Sequence, residues 1–340
     1  MKTQVLKPNE HSLKLAGELI RSGELVGIPT ETVYGLAANA LDGEAVMKIF
    51  KAKGRPSDNP LIVHICDLSQ VDYLVKEFSP KAKLLADKFW PGAITIIMPC
   101  SENVPSQVTA GLDTVAIRFP SNKTAQAIIK SAGLPLAAPS ANLSGSPSPT
   151  NAAHVYNDMK GRIPLIIDGG ESKVGLESTV ISMAGDVPIL LRPGGITVSE
   201  IESIIGKIVV DDGVTHMLAD DAVVSSPGMK YKHYAPKAEI VIVKADSESY
   251  AEYVNKRYEA EGAGALCYSE DTEKLKAPYI CLGEKEDYSS QAHNLFGSLR
   301  KLDDMNLKKV YAHCPGTDGV GLAVYNRLIR SAGFEVIELA

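Results

Sequence analysis

The chain has 340 residues, 45% hydrophobic and 22% charged, and its 41 acidic and 35 basic side chains give a net charge of −6. This composition is ordinary for a globular protein and the length suits two domains, while no run of about 18 apolar residues argues for a membrane span. Residues 1–206 carry 19 basic and 20 acidic groups, which speaks against a bulk nucleic-acid-binding surface.

The N-terminus, MKTQVLKPNEHSLKLAG, has no apolar signal core. Five cysteines (Cys66, Cys100, Cys267, Cys281, Cys314) are scattered without a close pair. That spacing argues against a disulfide framework or a zinc site, and for a reducing, cytoplasmic setting.

In chain order, Leu13, Ala16, Leu19 and Ile20 recur at helical spacing, with Gly23 as a C-cap. Leu25 to Ile28 reads as a buried strand that PTET (Pro29 to Thr32) breaks. A strand running into a Thr-rich turn places hydroxyls at the carboxyl end of a sheet, where α/β folds bind ligands; an ordinary capped turn uses the same residues. Glu44 to Phe50 reads as a helix. It feeds KAKGRPSDNPL (Lys51 to Leu61), where Gly54, Pro56 and Pro60 oppose helix. Lys51, Lys53 and Arg55 on an irregular segment suit a phosphate, since Lys offers a point charge and Arg a fork. A solvated basic loop has the same composition.

Leu61 to Ile65 is a strand carrying His64, a pattern shared by core and ligand-facing histidines. Ser79-Pro80 opens a helix to Phe89, with Ser as N-cap and Pro at the first position. Trp90 to Pro99 is a turn and a buried strand. Thr109 to Phe119 is a glycine turn running into a strand, with Arg118 among Val115, Ala116, Ile117 and Phe119. A cation there needs an anion, either a structural carboxylate or that of a ligand.

Leu134 to Thr150 is a strand and then a Ser/Gly/Pro/Asn loop whose hydroxyls and free N–H groups can cradle a nucleotide. Leu165 to Asp168 is a further strand. Gly175 to Met183 brings Ser178 and Thr179 to a strand start, and Ile189 to Thr197 brings Arg192 to a strand end beside Pro-Gly-Gly. Val198 to Ile204 is a helix. Neither a Walker A pattern nor G-x-G-x-x-G occurs, which excludes the standard P-loop and dinucleotide fingerprint. Spacing indicates no Ser-His-Asp or Cys-His set.

Lys207 to Ala235 connects two halves. Its SPGMKYKHYAP stretch concentrates Met229, Tyr231, His233 and Tyr234, more than a tether requires. From Glu239, strands alternate with helices at Ser247 to Glu261, Ser289 to Asp304 and Gly319 to Ala332, which predicts a second, mostly parallel three-layer domain. The Cys314 to Gly319 loop suits a turn or an anion at a helix start.

PTETVYGL, KGRPSDNPL, PSAN and STV, followed by the RPG turn, resemble the YrdC family in order and spacing. With SPGMKYKHYAP and a further domain behind it, the chain resembles the long two-domain form, the threonylcarbamoyl-AMP synthases. The resemblance implies an α/β protein: a YrdC-like twisted-sheet catalytic domain with a concave cleft over 1–206, a linker over 207–235 acting as an active-site lid, and a Rossmann-like three-layer α/β/α domain over 236–340. It implies synthesis of L-threonylcarbamoyladenylate from L-threonine, bicarbonate or CO2, and ATP, with release of diphosphate, for modification of tRNA next to the anticodon. Lys53, Arg55, Ser140 and Asn142 would be catalytic and line the ATP site with Asn59, Thr114, Ser148, Arg192 and Tyr231. Thr32, His64, Arg118, Ala138 and Ser178 would bind L-threonine. Mg2+ would accompany ATP, although no carboxylate cluster marks a protein-built cage, and no side chain stands out as the general base. Downstream threonylcarbamoyl-transfer enzymes and a weak tRNA contact are the implied partners. The alternative is an RNA-binding or ribosome-associated module using the same basic cleft.

Overall fold

A computed structural model describes residues 2–217 and 234–339. The chain forms two compact units; the first runs to residue 214 apart from 145–147, and the second takes 145–147, 215–217 and the chain from 234 onward.

The first unit is built on one mixed sheet. Its strands are β1 (Gln4–Leu6), β2 (Val26–Ile28), β3 (Gly35–Asn39), β4 (Ile62–His64), β5 (Ile94–Pro99), β6 (Thr114–Arg118), β7 (Leu136–Ala137), β8 (Leu165–Ile167), β9 (Thr179–Ser182), β10 (Ile189–Arg192) and β11 (Val209–Val210). Their spatial order is β1-β8-β2-β3-β7-β4-β6-β5-β9-β10-β11. Parallel pairs (β4 with β6, β5 with β9) alternate with antiparallel ones (β4 with β7, β5 with β6). Val209–Val210, which the sequence placed in the connector, is the strand at the far edge.

Helix boundaries follow local chemistry. Asp42 caps Gly43–Lys53 by accepting from the N–H groups of Glu44 and Ala45. Val46, Ile49 and Phe50 then face the core at i, i+3 and i+4. Gly54, at φ 63°, ends the helix in the left-handed conformation, and the Arg55 N–H closes on the Phe50 carbonyl. Lys51 and Lys53 therefore lie in the last helical turn, where cations suit the dipole, and not on the irregular loop expected from the sequence. The helix Pro80–Phe89 starts at Ser79 as expected.

The period-two alternation of the central strands decides which face is core. Val63, Ile94, Ile96, Met98, Val115, Ile117 and Ile181 pack with the helices around Phe50, Leu85 and Ile201 into the main cluster. Each fully buried Ile or Leu there contributes about 1.5–3 kcal/mol. The residues between them point to the other face, which carries the candidate site.

The second unit has an all-parallel sheet: β12 (Glu239–Lys244), β13 (Gly264–Cys267), β14 (Tyr279–Cys281), β15 (Lys309–His313) and β16 (Val336–Glu338), in the order β14-β13-β15-β12-β16. β15 sits between β12 and β13, unlike the 3-2-1-4 progression of the dinucleotide fold. Val241, Val243, Ala265 and Cys267 pack against Tyr250 and Val254 of helix Ser247–Glu261. Their neighbours Ile240, Ile242 and Leu266 are equally buried and face the other way, which makes three layers. His313 is buried with Nδ1 2.8 Å from Asp271 and Nε2 3.0 Å from the Ala245 carbonyl. Both ring nitrogens are thus committed to the fold.

Candidate active site

Register alone assembles the site. Ile62 and His64 of β4 lie level with Ala116 and Arg118 of β6, and Ile97 of β5 lies level with Ala116. One row across the second face is polar, His64, Arg118 and Thr95, and the Ser178 hydroxyl just before β9 reaches Thr95 Oγ1 at 2.7 Å. Beside it lies a small apolar patch of Ile62, Ile97, Ala116, Val180 and Leu191, separate from the main core. Thr114 is two rows from Arg118, at the opposite end of β6, about 13 Å along the strand.

Arg118 is 4% exposed and held from three sides. Its Nη2 donates to Glu31 Oε1 at 2.7 Å, Nη1 to the Thr32 hydroxyl at 2.7 Å and Nε to the Gly92 carbonyl at 3.3 Å. The anion that the strand cation required is therefore Glu31, a residue the sequence reading did not single out although it sits inside PTET. Burial raises the Glu31 carboxyl, but the charge and hydrogen bond of Arg118 outweigh it and hold the group below its ordinary range. One hydrogen on each terminal nitrogen of Arg118 has no partner among the described residues, so the fork can still take a carboxylate. The PTET turn is itself pinned: the Ser172 hydroxyl donates to the Thr30 carbonyl and the Val174 N–H to that of Glu31.

His64 is 3% exposed, with Nδ1 3.2 Å from the Ile62 carbonyl. Nδ1 therefore carries the proton and Nε2 is the acceptor. Burial, and then the charge of Arg118, push the imidazole down to about 3. Because the folded value lies below the ordinary one of about 6.5, stability is intact above pH 6.5 and falls as pH drops toward 3, by up to about 1.4 kcal/mol per pH unit. Chemical denaturation at pH 7 and pH 4.5 checks this: His64→Gln should lose distinctly less stability between the two than the parent, and equal losses would contradict it.

Lys53 is 3% exposed and its ammonium is fully engaged. It donates to the carbonyl of Ser140 at 2.5 Å and that of Asn142 at 2.7 Å, with Asn142 Oδ1 at 3.4 Å. Its own carbonyl accepts from the Ser144 N–H. Both ends of Lys53 thus fasten the 140–144 loop, in which the Ser140 hydroxyl donates to Asn142 Oδ1 at 2.6 Å. Burial, reinforced by Arg55, pushes the ammonium down to about 7, against Asp158 and Glu177. The structure therefore brings three of the four expected catalytic residues into contact, with Lys53 as the latch. Lys51 is exposed and lines a cavity of about 460 Å³ with Lys48, Ala52 and Arg162, which contains none of the expected site residues.

Arg192, at the end of β10, donates through Nε to the Ser178 carbonyl at 3.1 Å and through Nη2 to its hydroxyl at 3.3 Å. The Ser178 hydroxyl also meets Thr95 Oγ1 at 2.7 Å, a second residue missed because one polar position in ITIIMP gives no signal by itself. Gly194 is required here: a Cβ would lie 2.3 Å from the Thr179 nitrogen. Asn59 is fully buried, and neither its Oδ1 nor its Nδ2 has a hydrogen-bond partner among the described residues. A buried amide so placed is costly unless a ligand satisfies it. The Ser148 hydroxyl donates to Glu177 at 2.5 Å. The Ala138 N–H is committed to the Ile62 carbonyl. Tyr231 lies outside the described residues, as do Met229 and His233.

Comparison with known proteins was decisive. Residues 18–194 match the family model described as "Telomere recombination", and residues 196–333 match "Threonylcarbamoyl-AMP synthase, C-terminal domain". The Bacillus subtilis threonylcarbamoyl-AMP synthase is 47% identical, over 98% of this chain and 97% of the relative. The chain belongs to the threonylcarbamoyl-AMP synthase family. The Pyrococcus abyssi member is 44% identical over 97% of this chain and 96% of its own. A crystal structure of P. abyssi Sua5 complexed with L-threonine superposes with a TM-score of 0.91 at 42% identity, covering all of this chain and 99% of the other. Both units of this chain thus have counterparts in family members. Among the described residues no helix is long and apolar enough to cross a membrane.

Proposed function

We propose that this chain makes L-threonylcarbamoyladenylate from L-threonine, bicarbonate or CO2, and ATP, releasing diphosphate, in the cytoplasm, and that the product serves threonylcarbamoyladenosine formation next to the anticodon of tRNAs. The observation that carries the site assignment is the sheet face on which a polar row adjoins an apolar patch beside a cation-latched loop. In this reading Arg118 and Thr32 take the threonine carboxylate. His64, neutral and with Nε2 as acceptor, receives a substrate N–H or O–H, and Ser178 and the Ala138 backbone complete the pocket. The apolar patch is a platform for the adenosine end, with Thr114 at its rim. Asn59, Ser140, Asn142, Ser148, Arg55 and Arg192 border the ribose and phosphates.

The amine of threonine attacks the carbon of CO2 and loses a proton to give an N-carboxylate; from bicarbonate, that proton leaves with the displaced hydroxide as one water. A carboxylate oxygen then attacks the α-phosphorus in line, and the bond to the β-phosphate oxygen breaks as diphosphate leaves. Such a transfer calls for positioning and charge neutralisation more than for a covalent nucleophile. Arg55 and Arg192 supply charge, while Lys53 keeps the 140–144 loop in place. Mg2+ would neutralise further phosphate charge when ATP is bound. Residues 1–206, with the edge strand Val209–Val210, carry this chemistry, the chain from there to 235 connects, and 236–340 form the second domain. Enzymes that transfer the threonylcarbamoyl group to tRNA are the partners this product requires.

The test uses 13C-labelled bicarbonate with ATP and L-threonine. Mass spectrometry should find the label in a threonylcarbamoyl adenylate. An RNA-binding module, the other reading of a basic cleft, would form no such species.

A further inference from the structure

Glu177 sits between Ser148 and Ser178, and no substrate assignment above uses it. It is 7% exposed, its Oε1 accepts the Ser148 hydroxyl at 2.5 Å, and the next residue, Ser178, carries both Arg192 contacts. Glu177 and Asp158 are also the negative charges that act on buried Lys53. A carboxylate thus borders the space assigned to the triphosphate, and like charges brought together there repel strongly. The nook cannot cancel this by itself. Among the described residues, Arg55, Arg192 and Lys53, whose ammonium burial pushes down to about 7, face Glu177 and Asp158, and the hydrogens of Lys53 are spent on the 140–144 loop. A carboxylate beside a hydroxyl is a set of hard oxygen donors of the kind Mg2+ takes. When Mg2+ comes with a nucleotide, one or two protein carboxylates suffice, phosphates and water supplying the rest. The residues present therefore fit such a metal.

We propose that Glu177 is the protein ligand to the divalent metal carried by ATP, with Ser148 as the residue that orients its carboxylate. The proposal rests on the reading that Ser148 and Arg55 border the phosphates. Mn2+, visible by electron paramagnetic resonance, is titrated into the full-length chain saturated with a non-hydrolysable ATP analogue. Glu177→Gln should weaken Mn2+ in that complex about tenfold or more, while the analogue without metal binds the variant as tightly as the parent or more tightly, because a repelling charge has gone. Threonine binding verifies that the variant is folded. Unchanged Mn2+ affinity in Glu177→Gln overturns the proposal. If, in contrast, Arg55→Ala and Ser148→Ala leave the analogue's affinity unmoved, the phosphate assignment itself fails and the metal ligand falls with it. If they weaken the analogue and Mn2+ still binds Glu177→Gln normally, only the role of Glu177 is lost.

Discussion

Arg118→Ala should weaken L-threonine by about 2–5 kcal/mol, the cost of removing one partner of a buried charge pair, and change ATP affinity far less. Arg118 stands in the polar row, two rows from Thr114, so the two ligands should report on it separately. The same substitution strands Glu31, which is 7% exposed and paired with Arg118 at 2.7 Å. Stability should therefore drop by about 3–5 kcal/mol, as when a buried ion pair loses one member. Arg118→Lys separates the two effects. It keeps a charge for Glu31 but lacks the fork, so it should regain much of the stability and little of the threonine affinity. Calorimetry that finds equal losses for threonine and ATP in the lysine variant would make Arg118 a structural residue only.

The second large effect is expected at Lys53. Lys53→Ala should cut turnover by roughly 10²-fold or more, comparable to loss of a positioned transition-state donor. The cause would be geometric: without the ammonium, the carbonyls of Ser140 and Asn142 lose their shared donor, and Ser140 with Asn142 loses its fixed position. Threonine affinity should hold, because Arg118, Thr32 and His64 belong to other strands and turns. Hydrogen exchange at Ala141 to Ser144 should quicken in the variant. Normal turnover, or slowed turnover with unaltered exchange in that loop, would contradict the latch.

These effects show where sequence reading reaches and where it stops. Ser79-Pro80 announces its helix because cap and first-turn chemistry are local. The alternation of strands and helices from Glu239 is legible because the strands there are short runs between turn signals. The expected helix Glu44 to Phe50 stops short: Gly54, Pro56 and Pro60 oppose helix beyond residue 54, but Gly54 caps a helix that already includes Lys51 and Lys53. β1 was not recognised. Three residues, Gln4–Leu6, give no period, and the strand exists because it pairs with β8 some 160 residues away. The partner of Arg118 was open for the same reason. Glu31 is 87 residues distant, and only the sheet brings them together. Lys53 illustrates the limit for chemistry. Its charge suggested a phosphate contact, but burial against two carbonyls gives it a structural task that no composition reveals.

The most direct test of the proposed reaction is diphosphate release from ATP by the full-length chain, with L-threonine and bicarbonate each withheld in turn. Release should be rapid with both present and should fall to background when either is missing, because the N-carboxylate that attacks the α-phosphorus needs both. Release that persists without threonine or without bicarbonate would contradict this order of bond formation, and no release under any combination would remove the proposed activity altogether.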